Sequence, residues 1–123
     1  MTPPTRPLRI FYLEDNALVV VYVEGLLEEL GYVFAGSLSS FSDLQKEFDA
    51  LEMDGALIDI DLADGRTGIA AAEWLQERGI PSIFVTGQDR TAAEASVALA
   101  TVGKPIDPAE LARLLPLFGR SKA

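Results

Sequence analysis

The sequence predicts an α/β domain built on a parallel sheet with helices on both faces. Two observations carry this expectation. Short apolar runs alternate with longer segments of helical spacing, the order that produces parallel strands joined by crossover helices. The apolar runs also lack polar alternation, as strands buried on both faces do. A chain of 123 residues, 49% of them hydrophobic, has the size and apolar content for one such core.

Residues 1–7 read as a loose, Pro-rich lead. Leu8 to Leu13 is the first strand. Ala17 to Leu30 is a helix closed by Gly31. Its Val19-Val20-Val21 run suits a strand by propensity, but the spacing of Leu26, Leu27 and Leu30 fits a helix better. Tyr32 to Ala35 is a second strand. Ser40 or Ser42 can cap a helix running to about Ala50. Ala56 to Asp59 is a third strand, apolar on both faces. Ala70 to Arg78 is a helix closed by Gly79. Pro81 to Val85 is a fourth strand, with proline at a tolerated first position. A weak helix covers about Arg90 to Val97, and Ala98 to Val102 is a fifth strand. Asp107 or Pro108 opens a last helix ending near Gly119. The domain is thus expected over residues 8–118, with 119–123 as a tail.

Composition narrows the chemistry. The chain has no cysteine and no histidine, which removes disulfides, thiolate nucleophiles, imidazole bases and Cys/His zinc sites. A metal must then be held by oxygen, favouring Mg²⁺, Ca²⁺ or Mn²⁺. A net charge of −9 disfavours nucleic acid and anionic membrane surfaces as partners. No apolar run approaches membrane-spanning length, and nothing at the start reads as a signal segment. The expected location is cytoplasmic.

Four strand ends carry the candidate site. The first strand leads into Glu14-Asp15, the third ends at Asp59, the fourth at Thr86-Gly87, and the fifth leads to Lys104-Pro105. In open α/β sheets the carboxyl ends of the strands form the site. Taken singly, each residue has a bland explanation as a turn former, a helix cap or a solvated lysine. Together, three carboxylates would converge and repel. Two like charges ~4 Å apart cost on the order of 4 kcal/mol at an effective dielectric near 20. A divalent cation relieves this, and Mg²⁺ suits a few carboxylates that keep room for a phosphate. Lys104 and Thr86 can hold phosphoryl oxygens, and a carboxylate can attack phosphorus.

The segments "YLEDN", "DGALIDIDLADGRTG", "IFVTG" and "VGKPIDPAEL" resemble the receiver domain of two-component response regulators. The resemblance spans roughly residues 8 to 118. It implies a five-stranded parallel sheet in the flavodoxin-like arrangement. It also implies transfer of a phosphoryl group to an aspartate from a histidine kinase or a histidine phosphotransfer protein. Residue by residue, it implies Asp59 as phosphoacceptor and Glu14 and Asp15 as the acidic pair for Mg²⁺. Asp61 matches the position that lends the metal a backbone carbonyl. Thr86 matches the hydroxyl that follows phosphorylation, Lys104 the partner lysine, and Lys104-Pro105 a step often cis in the family. The helix after the acidic pair is where such domains meet their phosphodonor, so Leu18, Val19, Tyr22 and Leu26 are candidate contacts, with core packing the competing role for Val19 and Leu26. With no output domain read after residue 118, a stand-alone receiver is expected, its output passing to a downstream target protein or along a phosphoryl relay; a homodimer stays open.

Three departures stand out. The segment between Thr86 and Lys104 is short, so the fourth helix is expected to be clipped. Thr101 occupies the position where the family often has Tyr or Phe as a rotamer switch. Asp61 adds an acidic side chain beside the acceptor, where it either disturbs an incoming phosphoryl group, attracts metal or points to solvent. Two alternatives remain. "LIDIDLADG" also resembles the nucleophile motif of haloacid-dehalogenase-type phosphatases, but here the acidic pair lies upstream instead of after the lysine. A non-phosphorylated interaction module with the same fold is the other. A Ca²⁺-loop reading of Asp59, Asp61 and Asp64 fails, because the sixth position is Asp64 and not glycine.

Overall fold

The computed structural model describes residues 6–87 and 97–121. Five strands, β1 (Arg9–Leu13), β2 (Val33–Leu38), β3 (Gly55–Asp59), β4 (Ser82–Thr86) and β5 (Thr101–Gly103), form one sheet. They are parallel, in the order β2-β1-β3-β4-β5, which is the flavodoxin-like topology with its switch point between β1 and β3. Among the described residues the α-helices are α1 (Ala17–Glu29), α2 (Phe41–Glu47), α3 (Gly68–Glu77), α4 (Pro108–Leu114) and α5 (Pro116–Ser121).

Side-chain alternation along the strands splits the core in two. Ile10, Tyr12, Leu57, Ile83 and Val85 pack with Val23 and Leu27 of α1, and with Leu111, Leu114 and Phe118 from α4 and α5. Phe11, Leu13, Ala56, Ile58 and Phe84 pack with Leu44 of α2 and with Ala71, Ala72 and Leu75 of α3. Every residue of β3 and β4 is buried, so the continuous apolar runs there reflect a sheet covered on both faces. Among the described residues, no helix is long and apolar enough to cross a membrane.

Local chemistry sets the ends of the elements. Asn16 caps α1 by accepting from the amides of Leu18 and Val19 at 3.0 and 3.3 Å. Gly31 takes φ 90° and lets the chain turn back into β2. Ser40 caps α2 by accepting from Asp43 N at 3.0 Å, and a short 3₁₀ turn over Phe48–Ala50 carries that helix to its expected end.

Three expectations shift. β2 runs to Leu38 instead of ending at Ala35. A register shift moves the partner from Phe34 for Ile10 to Gly36 for Phe11, and this bulge breaks the alternation that marks a strand. β5 spans only Thr101–Gly103. Its ladder nevertheless begins earlier, through Leu99 N to Ser82 O at 2.8 Å and Phe84 N to Ala100 O at 3.0 Å. The last helix is two segments parted at Leu115, because Pro116 has no N–H and its ring crowds the preceding turn. The helix expected over Arg90 to Val97 lies, but for Val97, outside the described residues, and its length with it.

At the amino ends of the strands a buried charge holds β1 to β3. The Asp54 carboxylate accepts from Arg9 N at 2.7 Å and pairs with Arg6 at 3.3 Å and with Arg9 Nε at 3.7 Å. Burial pulls the Asp54 carboxyl up, but the Arg9 amide and the two guanidiniums outweigh it and hold the group below the ordinary carboxylate range. The folded-state pKa is therefore depressed. Its stabilisation is complete above the unfolded value and is lost as pH falls through the folded one. Asp54→Asn should lower stability by about 1–3 kcal/mol at neutral pH, read from the denaturant midpoint. The difference from wild type should close as pH drops below about 4. A gap of the same size at every pH where both proteins stay folded would show that the charge is not its source.

Candidate functional site

The site forms where β1, β3 and β4 end. Glu14 and Asp15 follow β1, Asp59 is the last residue of β3 and Thr86 the last of β4. Lys104 follows β5, and its amide donates to Thr86 O at 3.0 Å, so the ladder that pairs Thr86 with Gly103 also delivers the lysine. The Lys104-Pro105 peptide is cis. The tertiary structure thus brings Glu14, Asp15, Asp59 and Lys104 together from three separate strands, with Thr86 beside them.

Lys104 Nζ lies 2.7 Å from Glu14 Oε1 and 2.6 Å from Asp59 Oδ2. Both carboxylates are buried, Glu14 being 3% and Asp59 7% exposed. Burial pulls the Lys104 ammonium down, but its bonds to Asp59 and Glu14 outweigh that and hold its pKa above the ordinary value. The second Asp59 oxygen, Oδ1, accepts from Asp61 N at 3.1 Å. Glu14 is fully engaged as well. Tyr12 Oη donates to its Oε1 at 2.9 Å and Asn16 N to its Oε2 at 3.1 Å. The Tyr12 hydroxyl is held firmly protonated, first by burial and then by the Glu14 charge.

Asp15 completes the cluster and is exposed. One carboxylate oxygen each from Glu14, Asp15 and Asp59 lies within 4.8 Å of the others. Lys104 offsets part of the negative charge and leaves an excess. An all-oxygen donor set with excess negative charge, open on the Asp15 side, fits a hard divalent cation such as Mg²⁺.

Asp61 stands apart from that carboxylate cluster. Its side chain is 66% exposed and 3.8 Å from Arg66. Of the three roles weighed for it, pointing to solvent fits this placement. Thr101 is partly buried at the start of β5, paired with Phe84.

The candidate partner contacts on α1 divide. Leu18 is 82% and Tyr22 47% exposed, whereas Val19 and Leu26 pack partly against the core. Leu18, Val19 and Tyr22 join Lys104, Pro105 and Ile106 around an apolar groove of about 380 Å³, and Tyr22 Oη donates to Ile106 O at 3.3 Å. The place of Pro105 and Ile106 beside α1 escaped sequence reasoning, because nothing in the sequence sets them there. Tyr12 escaped as one more apolar strand residue. The available signal was its position two before Glu14, which puts both side chains on one face of the strand.

Comparison with known proteins agrees with this fold. Residues 10–115 match the family model of the response regulator receiver domain. Among solved structures, the signal receiver domain of a modulated diguanylate cyclase from Desulfovibrio desulfuricans G20 is 25% identical, with TM-score 0.84 over 94% of this chain and 97% of that one. The PhyR response regulator receiver domain of Erythrobacter litoralis is 24% identical, with TM-score 0.82 over 94% and 92%. The receiver domain of the sensor histidine kinase PA1611 from Pseudomonas aeruginosa PAO1, solved with a magnesium ion coordinated in its active-site cleft, is 24% identical, with TM-score 0.75 over 91% and 97%. No curated protein matches at significant similarity. A doubly wound sheet with clustered carboxylates and a lysine at its carboxyl ends, matched along nearly its whole length, makes this chain a member of the response regulator receiver domain family of two-component signalling.

Proposed function

We propose that the protein is a phosphoacceptor in a two-component phosphorelay. It takes a phosphoryl group on Asp59 from a histidine kinase or a histidine phosphotransfer protein, in a Mg²⁺-dependent reaction. The observation that carries this reading is the buried Asp59 carboxylate bridged by Lys104 to Glu14, with Asp15 completing an oxygen cluster.

In the reaction, an Asp59 oxygen attacks phosphorus while the bond from phosphorus to the donor's histidine nitrogen breaks. The electron pair of that bond stays with the imidazole, and an acyl phosphate forms on Asp59. Lys104, already 2.6 Å from Asp59 Oδ2, is placed to hold one phosphoryl oxygen. The Thr86 hydroxyl, at the end of the next strand, is suited to donate to another. Glu14, Asp15 and Asp59, with the backbone carbonyl of Asp61, would hold Mg²⁺. When bound, the ion offsets carboxylate repulsion and shares the phosphoryl charge. The magnesium coordinated in the cleft of the PA1611 receiver supports this assignment.

The phosphodonor docks on the exposed part of α1, at Leu18 and Tyr22, and along the apolar groove that Val19, Pro105 and Ile106 help to line. Leu26 contributes to core packing instead. Output passes by protein contact to a downstream target. The chemistry belongs to a signalling acceptor and not to a turnover enzyme, so each molecule holds one phosphoryl group.

Asp59→Asn should abolish labelling by a small phosphodonor in the presence of Mg²⁺, read by intact-protein mass. Continued labelling of Asp59→Asn with loss in Asp61→Asn would reassign the nucleophile, and multiple turnover of a generic phosphate ester would favour the phosphatase reading.

Mg²⁺ should raise the melting temperature of the protein by several degrees. A ligand at a hundredfold its Kd contributes about 2.7 kcal/mol. Asp15→Asn should lose most of that rise in a thermal scan, and an equal rise in the variant would place the ion elsewhere.

A further inference from the structure

We propose that Asp64 is a positioning residue for this site, clasping the loop between β3 and α3 to the start of α2 so that the backbone at Asp61 is held in place beside Asp59. The inference rests on the receiver reading, in which that backbone serves the metal.

The loop is tightly held at both ends. Asp61 N bonds to Asp59 Oδ1 at 3.1 Å, and Gly68 N to Ile60 O at 3.1 Å. Gly68 sits so close to the acceptor's own carbonyl that any side chain there would press on Asp59 O and Ile60 Cα. Ile60 and Leu62 are buried in the core face shared with α2 and α3. Between these anchors the tip turns back on itself, with Leu62 N to Gly65 O at 2.8 Å and Gly65 N to Leu62 O at 3.0 Å.

Asp64 connects this tip to a separate element. Its Oδ1 accepts from Phe41 N at 3.2 Å and from Thr67 Oγ1 at 2.7 Å, and its Oδ2 accepts from Ser42 N at 3.0 Å. A backbone bond from Ala63 N to Ser39 O at 2.9 Å lies alongside. Burial pulls the Asp64 carboxyl up, but the Thr67 hydroxyl and the Ser42 and Phe41 amides outweigh it and keep the group below the ordinary range.

Helix capping alone does not account for this arrangement. α2 already has its own cap, Ser40 on Asp43 N. Thr67 stands at the cap position of α3 but makes no capping bond there; its hydroxyl goes to Asp64 instead. Two helix starts thus converge on one carboxylate from the loop that follows the acceptor. The charged pair of Asp61 with Arg66 is a single contact of 3.8 Å, too loose to fix the backbone, whereas the Asp64 contacts, also exposed, are three hydrogen bonds of 2.7–3.2 Å. With both oxygens of Asp64 occupied by donors, its task is to hold the loop and not to bind the ion.

The test uses the full chain with Asp64→Asn and Asp64→Ala. Each is kept at a temperature where circular dichroism shows it fully folded. Mg²⁺ affinity is measured by calorimetry, and the rate of labelling by a small phosphodonor at saturating Mg²⁺. Affinity should fall about tenfold in Asp64→Ala, as for loss of a residue that orients metal ligands, and less in Asp64→Asn, whose amide keeps one acceptor. The saturated labelling rate should stay within about twofold, because Asp59, Lys104 and Thr86 are untouched. Unchanged affinity in folded Asp64→Ala, beside normal wild-type binding, overturns the inference and leaves the receiver reading standing. A wild-type chain that neither binds Mg²⁺ nor labels overturns both.

Discussion

The bridge from Lys104 to Glu14 and Asp59 is the interaction on which the rest of the site depends. Two carboxylates buried within reach of one another are unstable without a counter-charge, since desolvation and mutual repulsion both oppose ionisation. One ammonium placed at 2.6–2.7 Å from each answers both. The bonds from Tyr12 and Asn16 satisfy the remaining valence of Glu14. Asp15, outside the bridge and exposed, leaves the cluster short of neutrality on its solvent side, where a cation can enter.

That bridge requires strands held to within a fraction of an ångström. The sheet supplies this by burying β3 and β4 on both faces and by pinning the far ends of β1 and β3 through Asp54. Strong restraint at the amino ends and chemistry at the carboxyl ends are a division of labour suited to a parallel sheet, whose loops carry function on a rigid frame. The same logic continues into the loop after Asp59. Gly68 lies against the Asp59 carbonyl and Asp64 anchors the tip to α2, so the surroundings of Asp59 inherit the rigidity of the core.

The fold was largely legible because parallel strands leave a strong signature. Ile58, Phe84 and their neighbours are apolar without alternation, and Ser40, Gly31 and Asp107 mark helix ends through their own side-chain or backbone chemistry. Legibility failed where a local rule was overridden. The bulge opposite Phe11 hid half of β2, and Pro116 divided a helix whose apolar spacing continues across it. For the site, the acidic pair, Asp59 and Lys104 could be read as a set because each stands at a strand end. Tyr12, Ile106 and the contact of Pro105 with α1 could not, because they arise from what lies across from them.

By itself the sequence determined the fold class and narrowed the chemistry open to the site. With no histidine and no cysteine, imidazole and thiolate chemistry are excluded, and the reactive groups it sets at strand ends are carboxylates, a hydroxyl and a lysine. Only the tertiary structure decided how these groups are shared. It placed one lysine between Glu14 and Asp59, sent the Asp61 side chain toward solvent, and drew Asp64 across to α2. Those outcomes depend on distances between strands and loops far apart in the chain, and hydrogen-bond and Coulomb energies change steeply over such distances. Residue types along a chain carry no record of them.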